Sequence, residues 1–377
     1  MRVLIAPDSF KECLTAEAVA DAIAAGWLRG APADQVVKIP LADGGEGTTA
    51  TLVGAMRGTL HRTRVTGPSG APVNASYGLI EDGKTAIVEV AEASGLHCVA
   101  EADRNAMTAS SYGTGELIMA ALEHQPETLI VCLGGSATTD GGAGLLQAMG
   151  AQLLDDNGHP IPPGGEGLQH ISHFDLAEAK ARLAGIRIVV ACDVTNPLLG
   201  DLGAAAVFGP QKGASPDDVR VLDNNLCHFA QCVEKSGYNI RSFAGSGAAG
   251  GIGGAVAGIL GGLLKPGIEL VMSAVDMEAH MQAADLVITA EGAIDGQSAS
   301  GKTPTGVAKL AQHYHVPVIG LAGKLGEGDM TAIHEAGITA VFSIAPGPIS
   351  KDDAIANAAL YLENTTEQLA RLISGLK

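Results

Sequence analysis

The sequence predicts an α/β protein: a doubly wound parallel-sheet domain built from both termini, with a large inserted α/β domain and the active site in the cleft between them. Three observations carry this prediction. Short apolar runs alternate with helical stretches at both ends, strand-like runs follow one another directly in the middle, and 377 residues exceed what one core usually organises. The predicted domains are residues 1–65 with 281–377, and residues 66–280. Ligands of such sheets bind at the carboxyl ends of the strands.

The terminal domain begins with an apolar strand at residues 3–6 and a helix opened by Thr15, whose apolar face is Val19, Ile23 and Trp27. A strand at 36–39 and a helix from about Glu46 follow. The remaining predicted elements of this domain are strands at 286–289, 316–321 and 340–344 and a final helix over 352–374. Such alternation indicates right-handed crossovers and a parallel sheet.

The middle of the chain has a different pattern, because strand-like runs at 60–65, 73–80 and 85–90 are separated only by turn residues, which favours antiparallel pairing. Further predicted elements are a helix near 115–124, strands at 128–133 and 186–191, and an amphipathic helix around 219–233. The uncharged stretch 242–264 is rich in glycine, so we expect a loop and a small-residue helix rather than a membrane span.

Composition limits the class of partner. A net charge of −18 without any run of Lys or Arg excludes nucleic acid, so an anionic ligand must be held by a few local lysines and backbone amides. The six cysteines show no paired framework, which predicts a cytoplasmic location. Cys227, His228 and Cys232 lie within the amphipathic helix and predict no zinc site. A homo-oligomer is compatible with the sequence.

Residues 134–144, GGSATTDGGAG, directly follow the strand at 128–133. Backbone N–H groups of such a loop bind anion oxygens when a helix follows, although glycine can also merely permit a tight turn. Similar clusters of glycine, aspartate, lysine and hydroxyl residues occur near other strand ends. These clusters are 7–11, 42–48, 192–196, 209–213 and 291–303. Their repetition favours the anion-binding interpretation.

Together these segments resemble the bacterial type I glycerate kinases. The matching motifs are APDSFKECLTA from Ala6, KIPLADGGEGT from Lys38, LGGSATTDGGAGLLQAMGA from Leu133, ACDVTNPLLG from Ala191, AAAVFGPQKGA from Ala204, GAAGGIGGA from Gly247 and EGAIDGQSASGKTPTGVA from Glu291. The resemblance implies ATP- and Mg²⁺-dependent phosphorylation of D-glycerate, at the 2-hydroxyl, in the cytoplasm. Glu12-Cys13 stands where the family usually has Gly-Ser, and Ala290 where it has Gly; neither change removes a charged or donor group.

Phosphoryl transfer needs cations, amide donors and a carboxylate that holds the metal. The candidate cations are Lys11, Lys212 and Lys302. The candidate carboxylates are Asp8, Asp43, Asp140, Asp193 and Glu291. We expect Asp193, Lys212, Lys11 and Asp43 to be catalytic, with Asp193 and Asp43 as Mg²⁺ ligands, although metal ligand and base could exchange between them. Asp140 can equally cap the following helix.

Glycerate calls for several donors in a compact polar pocket, and loop residues can supply them. The predicted substrate- and phosphate-binding residues are Asp8, Ser9, Gly134, Gly135, Ser136, Thr138, Asp140, Asn196, Glu291 and Lys302. Residues 296–303 formally match the P-loop pattern. Because residues 290–295 separate them from the predicted strand and Pro304 follows, we expect a phosphate-facing element of another design.

Two other classes of function remain open at this point. A dinucleotide-dependent redox enzyme would need G-x-G-x-x-G after the first strand, where Asp8-Ser9-Phe10-Lys11 stands instead. A non-catalytic organic-anion binding protein would need the Gly-rich loop without the carboxylates. Within the kinase interpretation, the alternatives are the 3-hydroxyl as acceptor or a related small hydroxy acid.

Overall fold

The computed structural model describes residues 1–11, 13–294, 302–326 and 330–376. Contacts divide the chain into two units, Met1–Asp43 with Ile268–Lys377 and Gly44–Gly267. These limits differ from the predicted boundaries at 65/66 and 280/281. Residues 59–66 form a strand that pairs with the strand at 72–80, which brings the preceding segment into the second unit.

The helices and strands alternate along most of the chain. The strands are β1 (Arg2–Ile5), β2 (Gln35–Lys38), β3 (Thr59–Thr66), β4 (Pro72–Ile80), β5 (Thr85–Glu89), β6 (Thr128–Cys132), β7 (Gln152–Leu154), β8 (His173–Asp175), β9 (Arg187–Ala191), β10 (Leu263–Lys265), β11 (Leu286–Ile294), β12 (Val318–Leu325) and β13 (Ala340–Ser343). The helices are α1 (Ala16–Gly30), α2 (Thr48–Ala55), α3 (Val90–Ser94), α4 (Tyr112–Leu122), α5 (Ala143–Ala148), α6 (Ala177–Arg182), α7 (Ala204–Phe208), α8 (Pro216–Lys235), α9 (Ile252–Gly254), α10 (Gly267–Ala274), α11 (Met277–Gln282), α12 (Thr303–His313), α13 (Thr331–Glu335), α14 (Lys351–Ala356) and α15 (Ala358–Gly375).

The first unit contains a parallel sheet of order β13-β12-β11-β1-β2, which confirms the doubly wound α/β class. Its helix α1 begins as predicted, because the Thr15 side chain accepts a hydrogen bond from the Ala18 N–H. Val19, Ile23 and Trp27 are fully buried in the core of this unit. The predicted last helix is two helices, α14 and α15, with Asn357 between them.

Helix α15 packs closely on α1, and a glycine makes this approach possible. A Cβ atom on Gly26 would lie 2.1 Å from the Thr366 Oγ1 and 2.2 Å from the Glu363 carbonyl oxygen. Helix α1 near the N-terminus therefore packs directly against helix α15 near the C-terminus, and this contact holds the two ends of the chain together in the first unit.

The second unit contains a six-stranded sheet of order β10-β9-β6-β5-β4-β3. The pairs β3–β4 and β4–β5 are antiparallel, which confirms the predicted meander, and β5, β6, β9 and β10 are parallel. A small antiparallel pair, β7–β8, was not predicted. Helix α8 covers the core with Leu222, Leu226, Phe229 and Val233, all fully buried.

The glycine-rich stretch 242–264 forms short 3₁₀, α and π turns followed by β10. Within the described part of the chain, no helix has both the length and the apolar character that crossing a membrane requires. Cys227, His228 and Cys232 lie on α8 as predicted. Over the same described ranges, no group of three or more His, Cys, Asp or Glu side chains is arranged to hold a metal ion.

Candidate functional site

The first unit has a cavity of about 740 Å³ at the carboxyl ends of its parallel strands. It is lined by the residues after β1, by the end of β11 and by the end of β12. In the sheet order, β1 leads to β2 on one side while β11 leads to β12 and β13 on the other. The cavity therefore lies at the topological switch point, where ligands of open parallel sheets bind.

Five of the predicted site residues line this cavity. They are Asp8, Ser9, Lys11, Glu291 and Lys302. The carboxylate of Asp8 is 8% exposed and accepts hydrogen bonds from the Ser9 N–H at 2.6 Å and the Thr303 hydroxyl at 2.5 Å. Burial, with the charge of Asp43 second, raises the pKa of Asp8 to about 6.

Glu291 is the second carboxylate of this cavity. Its Oε1 accepts a hydrogen bond from the Lys302 ammonium at 2.9 Å, and its buried Oε2 has no hydrogen-bond donor among the described residues. Burial raises the pKa of Glu291, Lys302 opposes this, and Asp43 adds to it. Three carboxylates are thus close enough to repel one another, and one buried oxygen has no partner within the described ranges.

The rest of the cavity wall was not predicted. Lys324 lies on β12, Lys351 begins α14, and apolar side chains come from the segment after β13 and from α14 and α15. Gly323-Lys324 follows an apolar run, as the predicted clusters do, so the same signal could have identified it. The apolar wall carries no such signal, because only the fold brings it to this place.

The chain departs from the family motifs at Glu12-Cys13 and at Ala290, and the structure describes Cys13 and Ala290. Cys13 lines the cavity, where its thiol donates to the Ile355 carbonyl oxygen at 3.2 Å, and Ala290 is fully buried on β11. Glu12 lies outside the described residues, as do residues 296–301 of the P-loop pattern. Strand β11 continues to Ile294, further than predicted, so it ends closer to the pattern than the sequence argument assumed.

In the second unit, the loop between β6 and α5 is held by its own aspartate. Asp140 is fully buried and accepts hydrogen bonds from the Ser111 N–H and hydroxyl and from the N–H groups of Gly142 and Gly144. Burial raises its pKa, and these four donors oppose the shift. The anion bound at the start of α5 is therefore the chain's own fully buried carboxylate, as expected for a helix cap, and the binding role of Asp140 stays a prediction.

Lys212 is buried against the same loop, with 2% of its surface exposed. Its ammonium donates to the Ser136 hydroxyl at 2.9 Å and to the Thr138 carbonyl oxygen at 2.6 Å. Burial lowers the pKa of Lys212 to about 7, and the charge of Asp140 opposes this shift. The side chain thus fixes the path of residues 136–138.

A second glycine-rich segment supports this loop from behind. The Gly141 N–H donates to the Gly250 carbonyl oxygen at 3.0 Å. A Cβ atom on Gly250, whose φ is +70°, would lie 1.9 Å from the Thr138 carbonyl oxygen. In contrast to this enclosed end, Gly134 is half-buried and Gly135 is exposed. The side of the loop that a ligand can reach is therefore its beginning.

The other predicted residues of the second unit follow β9. Asp193 is exposed, and its Oδ1 accepts a hydrogen bond from the Gly267 N–H at 2.8 Å. The Asn196 amide donates to the Leu202 carbonyl oxygen at 2.9 Å, so it stabilises a turn. The structure brings together one predicted set in each unit: the cavity residues with Asp43, and residues 134–140 with Lys212. The location of the active site in a cleft stays a prediction.

Comparison with known proteins identifies the chain. The sequence profile of the Glycerate kinase family matches residues 3–374. The chain belongs to this family. The glycerate kinase of Bacillus subtilis (strain 168) is 50% identical over 378 residues, covering 100% of this chain and 99% of the relative. The glycerate 2-kinase of Escherichia coli (strain K12) is 48% identical over 359 residues, covering 95% of this chain and 94% of the relative.

A solved structure agrees with the fold of this glycerate kinase family member. The crystal structure of a Salmonella typhimurium LT2 protein assigned as a glycerate kinase 2 superposes with a TM-score of 0.89 at 45% identity, covering 100% of this chain and 98% of that one. The chain is therefore a kinase with a two-domain α/β fold, and the resemblance drawn from its motifs is confirmed.

Proposed function

We propose that this kinase transfers the γ-phosphoryl group of ATP to the 2-hydroxyl of D-glycerate, giving 2-phosphoglycerate and ADP in the cytoplasm. The observation that carries the proposal is the 48% identity to the Escherichia coli glycerate 2-kinase over 95% of the chain. The lysine-lined cavity and the exposed start of the loop after β6 are two places where anionic groups of these substrates can bind.

In this reaction the 2-hydroxyl oxygen of glycerate forms a bond to the γ-phosphorus while the bond to the ADP oxygen breaks. The hydroxyl proton passes to a carboxylate or to water, late in a loose transition state. We assign the hydroxyl-orienting role to Asp193, which is exposed, and the phosphate-neutralising role to Lys11, which is exposed at the cavity of the first unit. Lys212 acts by positioning Ser136 and the Thr138 carbonyl group.

The first unit offers carboxylate oxygens to a divalent cation that is also held by substrate phosphates, although no three of its described carboxylates are arranged as a metal cluster. Within the described part of the chain, no donor reaches the buried Oε2 of Glu291, and Asp8 and Asp43 add negative charge beside it. Mg²⁺ takes oxygen ligands and usually needs one or two protein carboxylates beside substrate phosphates. When bound, Mg²⁺ would neutralise charge on the transferred phosphoryl group, with Asp43 as a predicted ligand. The other predicted ligand, Asp193, belongs to the second unit.

The proposal is tested by ADP release with D-glycerate, L-glycerate and no acceptor. D-glycerate alone should support release. Enolase added to the product should form phosphoenolpyruvate without a mutase, because enolase dehydrates the 2-phosphate directly. A product that needs the mutase would identify the 3-hydroxyl as acceptor, and absence of ADP release would favour an organic-anion binding protein.

The role of Asp193 is tested by Asp193→Asn, which keeps the oxygen that accepts from the Gly267 N–H. We expect kcat to fall by about 10²-fold or more, because loss of a positioned acid or base costs that much. Asp201→Asn, an exposed aspartate nearby in sequence, is the matched control. Equal kcat in both variants would show that Asp193 has no part in the transfer.

A further inference from the structure

The cavity of the first unit is much larger than glycerate needs. Its volume of about 740 Å³ lies within the range of roughly 300–1,000 Å³ that cofactor-sized ligands occupy. Glycerate is a three-carbon acid and would leave most of this space empty. The other substrate of the proposed reaction, a nucleoside triphosphate, has the appropriate size.

The charge of the cavity favours a polyanion. Among the described residues that line it, four are lysines and two, Asp8 and Glu291, are carboxylates. These lysines are Lys11, Lys302, Lys324 and Lys351. The whole chain, by contrast, carries 41 acidic and 23 basic residues. A local excess of lysine on so acidic a protein indicates a ligand with several negative charges, such as a triphosphate.

The opposite part of the wall is apolar. Ile344, Pro348 and Ile349 follow β13, while Ile355 and Tyr361 come from α14 and α15. Ile349 is 37% exposed. A purine ring has two apolar faces and binds to surfaces of this kind, whereas neither glycerate nor inorganic phosphate gains from them. Lysines and apolar side chains in one cavity therefore suit a ligand that has both an aromatic ring and phosphates.

We propose that the cavity of the first unit binds the nucleoside triphosphate, with its phosphates towards Lys11, Lys302 and Lys324 and its purine against Ile344, Ile349 and Tyr361. The inference rests on the proposed kinase function and adds the location of the phosphoryl donor. The position at the switch point between β1 and β11 agrees with it, since nucleotides bind there in other doubly wound sheets.

Gly347 offers a direct test of the apolar part. It lines the cavity, its φ lies outside the left-handed region, and a Cβ atom there would meet nothing within 4 Å. Gly347→Trp should therefore fill space without disturbing the fold. Gly375→Trp is the matched control, because Gly375 has equal room and does not line the cavity.

Lys324 tests the charged part. Lys324→Glu reverses a charge at the cavity, and Lys309→Glu reverses one on an exposed face of α12 outside it. Binding of ADP and of the non-hydrolysable analogue β,γ-imido-ATP to the whole protein is measured by titration calorimetry without glycerate. KM for D-glycerate is measured at saturating ATP, and adenosine and inorganic tripolyphosphate are tested as competitors.

We expect Gly347→Trp and Lys324→Glu each to weaken nucleotide binding about tenfold or more, with KM for D-glycerate within twofold of the parent and both controls unchanged. Adenosine should lose affinity in Gly347→Trp, and tripolyphosphate in Lys324→Glu. Unchanged nucleotide binding in both variants would overturn the inference, as would a change in KM for glycerate alone. If the parent binds nucleotide here but releases no ADP with glycerate, the proposed function fails while the nucleotide site stands.

Discussion

The two units differ in how their charged side chains are satisfied. In the second unit, Asp140 accepts from four donors and Lys212 donates to two acceptors, both deep below the surface. In the first unit, Asp8 and Glu291 face a cavity, and one oxygen of Glu291 has no described donor. Charges that are satisfied within the chain maintain the fold, and charges that are left unsatisfied are available to a ligand. Substitutions should therefore cost stability in the second unit and binding in the first.

The largest effect should come from Asp140→Ala. Removing this carboxylate leaves several buried N–H groups and one hydroxyl without an acceptor, so we expect the free energy of unfolding to fall by about 3–5 kcal/mol in urea titrations. Asp156→Ala, at an exposed aspartate of the same unit, should change it by less than about 0.5 kcal/mol. A loss below about 1 kcal/mol at Asp140 would break the comparison.

The next effect concerns pH and Lys212. Its pKa is about 7 in the folded chain and ordinarily 10.5, so between these values the unfolded chain binds more protons. The free energy of unfolding should therefore rise with pH across this window, by a few kcal/mol at about 1.4 kcal/mol per pKa unit. Lys212→Met should remove the rise, whereas Lys84→Met, at an exposed lysine, should keep it. An equal dependence of the unfolding free energy on pH in both variants would show that Lys212 is not its source.

Asp8→Asn should act with the opposite sign. The pKa of Asp8 rises from 3.8 to about 6 in the folded chain, so stability falls as pH rises between these values. The amide removes this dependence and can still pair with the Thr303 hydroxyl, so at pH 7 we expect a gain of about 1–2 kcal/mol in unfolding free energy. Urea titrations at pH 4 and pH 7 measure it. A loss of stability at pH 7 would show that Asp8 belongs to the fold rather than to a ligand.

The smallest effect on stability should follow Lys302→Met. Its ion pair with Glu291 is 43% exposed on the lysine side, and such pairs contribute about 0–1 kcal/mol. Nucleotide affinity measured by calorimetry should nevertheless fall. Arg371→Met breaks a surface pair with Glu367 that lies outside the cavity, and it should leave affinity unchanged. A large loss of stability with unchanged nucleotide affinity would show that Lys302 maintains the fold and does not bind the ligand.

Periodicity was sufficient to predict most elements of the fold. The apolar face of α1 and the antiparallel order of β3 to β5 follow from local residue patterns. The roles of individual site residues depend on long-range contacts. The sequence shows that Asp140 precedes two glycines, but Ser111, which donates to it, is 29 positions away. Ser136 lies 76 positions from Lys212, so no local pattern could reveal that this lysine is buried.

The resemblance to a family added what local patterns could not. It identified the chemistry, and it matched segments that lie far apart along the chain. It did not separate residues that meet a ligand from residues that support a loop, because both kinds stand in the same motifs. Burial and hydrogen-bond partners add the support that Asp140 and Lys212 give to the loop after β6, and their roles towards a substrate stay predictions.

The position of β1 in its sheet sets the order in which the units can fold during synthesis. This strand lies between β2, which follows it closely, and β11, which ends at Ile294. During synthesis, β1 cannot pair with β11 until most of the polypeptide has been made. The second unit is continuous and can fold first. A nascent chain whose residue 267 has left the ribosome would thus carry one folded unit and an N-terminal segment that still lacks its partner.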